Sequence, residues 1–143
     1  MQNISKNVKI SLNDLYKLAE EKGIHVTDFS LPENKAVTIE LDDSCFVGVD
    51  PAVFGSLREE RVVLAHEIGH IETGGLYKKG CAKASRLQKE AKAEKWAITC
   101  LVPYEELIKA GKNGFRDIPS LADYFDVTEE FMEKVLNYYN KKH

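Results

Sequence analysis

The chain has 143 residues, 43% of them hydrophobic and 30% charged, with a formal net charge of -3. That is the size and composition of one compact globular domain, and it excludes disordered and fibrous classes. The negative balance gives no overall attraction to nucleic-acid phosphates or anionic lipid, and no stretch approaches the length of a membrane span. In chain order, Met1 to Lys6 lacks the apolar run of a signal peptide, so a cytoplasmic location is expected. Ser11 with Asp14 opens a helix whose apolar face, Leu12, Leu15, Tyr16, Leu18 and Ala19, stops at Gly23. Ala36 to Leu41 and Cys45 to Asp50 are short and rich in Val, Ile and Phe, and Asp42-Asp43-Ser44 between them predicts a hairpin.

Ser56 followed by Glu59 predicts a second capping box and a helix from near Leu57 into His70. Glycines 74, 75 and 80 then mark a loop, and a third helix is expected from about Ala84 to Leu101, ended by Pro103. Tyr104 to Ala110 predicts a short helix stopped by Gly111. Ser120 to Phe125 and Thr128 to Tyr139 predict two more, with Thr128 as an N-cap. No repeat or linker marks a second domain. The expectation is one α+β domain over residues 1–143, with a helical core, a small antiparallel sheet and a helix-turn-helix-like tail over 120–140 packed on it. Three widely spaced cysteines argue against a disulfide framework or a CxxC zinc site. Cys45 and Cys100 read as small core residues, and Cys81 is the one to test for reactivity.

The chemistry sits in His66-Glu67-Ile68-Gly69-His70. Residues four apart on a helix share a face, so both imidazoles can aim at one metal ion. Glu67 lies roughly 100° around the helix from His66, where its carboxylate can serve a metal-bound water as general base without occupying a coordination position. Val62, Val63 and Ala65 place the motif in an apolar stretch, where two histidines and a carboxylate are costly to bury unless a metal or partners satisfy them. A catalytic zinc site usually takes three protein ligands and leaves a fourth position for water. The stripe Leu87, Glu90, Glu94, Ala97, Leu101 puts two carboxylates on an otherwise apolar helical face. Glu90 is the preferred third ligand, and Glu94, one turn on, is the substitute. Tyr77, in the glycine-bounded loop, is a candidate oxyanion donor by position alone. His25 and His143 read as ordinary surface histidines.

These residues carry a family resemblance. Arg61-Val62-Val63-Leu64-Ala65 leading into His66–His70, then Thr73-Gly74-Gly75-Leu76-Tyr77, then Gln88 to Ala97 closing in Leu101-Val102-Pro103, together resemble the ImmA/IrrE metallopeptidases, often encoded by phages and mobile elements. The likeness covers roughly residues 10 to 140. It implies one zinc ion held by His66, His70 and Glu90, with Glu67 as catalytic acid/base. It also implies a regulatory protease whose partner is a helix-turn-helix transcriptional repressor encoded nearby. The family often has phenylalanine where Trp96 stands and a small polar residue where Glu94 stands, so Glu94 keeps a claim on the metal.

Two rival readings have concrete content. The tail has the rhythm of a DNA-binding helix-turn-helix, but its second helix begins with Glu129, Glu130 and Glu133, which would repel phosphates at the end that must enter the groove. A packing role or a surface that docks the repressor is expected instead. The other rival keeps the zinc fold but antagonises the repressor by binding alone, since an intact motif establishes capability and not use.

Overall fold

The computed structural model describes residues 10–28, 36–41, 44–50, 54–74 and 83–142. Among them run α1 (Leu12–Glu21), β1 (Ile24–Asp28), β2 (Ala36–Leu41), β3 (Ser44–Val49), α2 (Leu57–Glu72), α3 (Lys83–Leu101), α4 (Tyr104–Lys112), α5 (Ile118–Phe125) and α6 (Glu129–Lys142). None of these helices is long and apolar enough to cross a membrane.

Local chemistry sets the helix ends. Ser11 Oγ accepts from Asp14 N at 3.0 Å and Asp14 Oδ2 accepts from Ser11 N at 2.9 Å, which closes the expected capping box. The chain leaves α1 through Gly23 at φ +74, a left-handed conformation that side-chain-bearing residues rarely adopt. The cap of α2 differs from expectation. Ser56 Oγ accepts from Glu59 N at 3.1 Å, but the Glu59 carboxylate passes over Ser56 and accepts from Gly55 N at 2.6 Å. Gly111 does not stop α4 either. The helix continues to Lys112 and turns at Gly114, φ +97, where Phe115 N donates back to Ala110 O at 3.0 Å. Thr128 Oγ1 accepts from Phe131 N at 3.1 Å and so caps α6.

The sheet is mixed, not antiparallel as expected. Its order is β1-β3-β2: β2 and β3 pair antiparallel as the hairpin, and β1 pairs parallel on the other edge of β3, with Val26 opposite Val47. β1 was invisible in the sequence pattern because five residues directly after a helix offer too short an alternation to read. As the central strand, β3 buries successive residues, with Val47 and Val49 essentially inaccessible. His25 is exposed, and its ring stacks on its strand neighbour Phe46 at 4.8 Å.

One apolar cluster joins Leu15 and Ala19 of α1, Val47 and Val49 of β3, Leu64 and Ile68 of α2, and Ile98 of α3 to Phe125, Met132 and Val135 of the tail helices. The tail is therefore packed on the body of the fold. Tyr139 Oη donates to Val102 O at 2.7 Å, and burial pushes its pKa up to about 12. Cys100 is partly buried against the same cluster, and burial raises its thiol to about 11. Cys81 lies outside the described residues.

Arg61 locks the arrangement. It is 2% exposed, on the inner face of α2. Its Nε donates to Ile10 O at 2.7 Å, and Nη1 donates to Phe125 O and Asp126 O, both at 2.8 Å. Phe125 and Asp126 end α5, with Asp126 in the left-handed region at φ 58, so the guanidinium meets the negative pole of that helix. Burial lowers the Arg61 pKa, with the nearby Asp126 charge opposing the shift. Arg61→Met is expected to lower stability by about 2–4 kcal/mol, because buried carbonyls lose their donor. Arg61→Lys should recover less than half of that, since an ammonium cannot span the same acceptors. Urea unfolding midpoints measure both, and an unchanged midpoint for Arg61→Met would remove the guanidinium from this role.

Candidate metal centre

The centre is made by the approach of α2 to α3. His66 contacts Glu94 and His70 contacts Glu90, so the two helices run antiparallel. Their separation is set at Gly69. A Cβ built there would lie 2.7 Å from Ala93 O, well inside any contact that real side chains make. Ala93 and Ala97 are fully buried on the facing side of α3, so small residues on both helices let the backbones close. That closeness lets two glutamates on α3 reach two histidines on α2.

His66 Nε2 is 2.8 Å from Glu90 Oε1, and His70 Nε2 is 2.9 Å from Glu90 Oε2. One carboxylate thus spans both imidazoles, whose rings stand 5.0 Å apart and nearly perpendicular at 78°. One ligand atom from each of His66, His70 and Glu90 falls within a sphere of mutual distances no greater than 4.8 Å, so this group could hold a metal ion. His70 is 4% exposed and Glu90 is accessible, which leaves the cluster closed on the protein side and open outward.

Glu94 does something different. Its Oε1 is 3.1 Å from His66 Nδ1, on the side of the ring away from Glu90, and its Oε2 is 3.4 Å from Lys134 Nζ on α6. With carboxylates at both ring nitrogens, the His66 pKa is raised: burial opposes the charged ring, and the hydrogen bonds to Glu94 and Glu90 outweigh it. Burial works against the Glu94 charge as well, yet its pKa is lowered by the His66 hydrogen bond and the Lys134 charge. A carboxylate accepting at Nδ1 favours a proton there, which would leave the Nε2 lone pair to a metal ion when one is bound, an orienting contact typical of histidines that ligate metals. The donor set passes a chemical test of fit: two imidazole nitrogens and a carboxylate converge, and a second carboxylate faces the other nitrogen of one ring.

Glu67 stands outside this cluster and lines, with His66, a cavity of about 300 Å³ between α2 and α6. Tyr77 lies outside the described residues. The sequence pattern had no means of showing Gly69 as the spacer or Lys134 as a neighbour of the centre. The first is silent until Ala93 is opposite it, and the second comes from the other end of the chain. Gly69→Ala should test the spacer. The alanine would gain about 0.5–1 kcal/mol of helix preference, but overpacking against Ala93 costs about 1–3 kcal/mol. The clash should win, lowering both unfolding stability and metal affinity in a chelator competition. Gly111→Ala in α4, where nothing lies within 4 Å of a new Cβ, should instead stabilise. Equal gains in both variants would show that Gly69 sets no spacing.

Comparison with known proteins adds identity to this geometry. No curated protein matches the chain significantly. Among solved structures, a Mycobacterium tuberculosis transcriptional regulator is similar over 85% of this chain at 20% sequence identity, with a TM-score of 0.65. The chain spans 39% of that regulator's length, so the likeness is one of fold over a part of it. The peptidase-family profile described as the IrrE N-terminal-like domain matches residues 19–137, which takes in both helices of the centre and the tail. The chain thus belongs to the IrrE N-terminal-like peptidase family.

Proposed function

We propose that the protein is a zinc-dependent metallo-endopeptidase that acts on a protein substrate, a helix-turn-helix transcriptional repressor being the partner its family resemblance implies. The observation that carries this reading is the convergence of His66 Nε2 and His70 Nε2 on the Glu90 carboxylate, beside a cavity lined by Glu67. In this reading His66, His70 and Glu90 hold one zinc ion, and Glu94 orients His66 instead of taking the third coordination position. Bound zinc would supply a Lewis acid for the scissile carbonyl and lower the pKa of a coordinated water. The chain's own residues do the rest. Glu67 takes the proton from the water that attacks the carbonyl carbon and returns it to the leaving amine nitrogen as the C–N bond breaks. Glu94 keeps His66 protonated at Nδ1 throughout. An extended peptide segment would meet Glu67 in the cavity that this residue lines.

Metal analysis of untagged protein tests the ligands. Wild type should carry one zinc per chain, and His66→Ala and Glu90→Ala should lose it. Glu94→Gln should keep zinc with affinity weakened about 10–100-fold, the usual scale for an orienting partner. Zinc retained in Glu90→Ala and lost in Glu94→Gln would exchange the two roles. Glu67→Gln then separates cutting from binding: it should retain zinc and repressor binding while cleavage falls about 10²–10⁴-fold. Repressor inactivation unchanged in Glu67→Gln would make the protein an antagonist that works by binding alone.

A further inference from the structure

The cavity beside the centre has a chemical character that neither the motif nor the family match assigns. Its walls are apolar, formed by Val62 and Val63 of α2 and Phe131 of α6. Its polar lining is lopsided among the described residues: Glu59, Glu67, Glu94 and Glu130 line it with one lysine, Lys134, and Glu59 also accepts from Gly55 N. Lys134 is itself engaged with Glu94 at 3.4 Å. Glu130 is exposed at the first turn of α6 and makes no ion pair among the described residues. A divalent cation held by His66, His70 and Glu90 would leave this side of the cleft negative. The floor is continuous with His66 and Glu67, so a chain bound here lies next to the groups that would act on it.

We propose that this cleft is a specificity subsite for an extended peptide that places an apolar side chain against Val62, Val63 and Phe131 and a lysine or arginine beside it against Glu130 and Glu59. The cavity's volume of about 300 Å³ admits a leucine- or phenylalanine-sized group with backbone on either side, at the small end of peptide and ligand pockets. Charge complementarity selects the basic neighbour, since an acidic one would be set against the carboxylates at the mouth. The acidic first turn of α6 that disqualifies the tail as a DNA reader thereby acquires a positive use. This inference rests on the peptidase reading for its placement next to Glu67, but binding and cleavage can be measured apart.

The test is fluorescence anisotropy of labelled peptides on zinc-loaded Glu67→Gln protein, which removes turnover. One peptide carries a central Leu-Lys pair; the others replace it with Leu-Glu, Ala-Lys and Lys-Leu. The two peptides pairing leucine with lysine should bind best in one of their two orders, with Leu-Glu and Ala-Lys each weaker by roughly tenfold. Glu130→Lys should abolish the advantage of Leu-Lys over Leu-Glu. Val63→Phe, checked for fold by circular dichroism, should abolish the advantage of Leu-Lys over Ala-Lys by filling the apolar wall. Equal binding of all four peptides, or preferences unchanged in both variants, overturns the subsite whether or not wild type cleaves any of them. Wild type that binds with these preferences but cuts no peptide or repressor leaves the subsite standing and overturns the peptidase reading.

Discussion

The distance between α2 and α3 is the constraint on which the rest of the molecule depends. Gly69 meets the backbone of Ala93 so closely that even a methyl group has no room. Helices held apart by larger side chains would leave Glu90 short of His70 and Glu94 short of His66, and the convergence of donors would be lost. The position between the two histidines is thus as consequential as the histidines. It is also economical in sequence, since one glycine and two alanines achieve what no ligand residue can achieve for itself.

Around that contact the protein uses two polar devices of different kinds, one buried and one reaching the surface. Arg61 binds main-chain carbonyls at the start of α1 and the end of α5, tying segments far apart in sequence to the helix that carries the motif. The His66–Glu94–Lys134 chain connects α2, α3 and α6 through side chains alone. The first fixes where α2 sits, and the second fixes how one of its rings is turned.

Much of this was legible in the residues. Ser11, Ser56 and Thr128 each cap the helix that their neighbours led one to expect, and the spacing of His66 and His70 put both rings on one face. Other parts were not. Glu90 and Glu94 share a helical stripe, so periodicity could not tell them apart; in the fold Glu90 meets His66 Nε2 and Glu94 meets its Nδ1. β1 carries too few residues to announce a strand, and its parallel pairing depends on an edge of β3 that sequence does not reveal. Gly111 looked like a stop signal because glycine often is one, yet the residue with the terminating conformation is Gly114.

The placement of Glu94 has a consequence for how the two ends of the protein communicate. Its two oxygens belong to different worlds, one to the imidazole of His66 and the other to a lysine on the last helix. The imidazole and the ammonium draw on the charge of one carboxylate, and detaching α6 would leave that charge to His66 alone. The hydrogen bonding of His66 and the docking of the terminal helix are therefore linked, and whatever one does to the other is returned with the same free energy. A ligand that pries at the C-terminal helix would be felt at the His66 ring, on the far side of the same carboxylate.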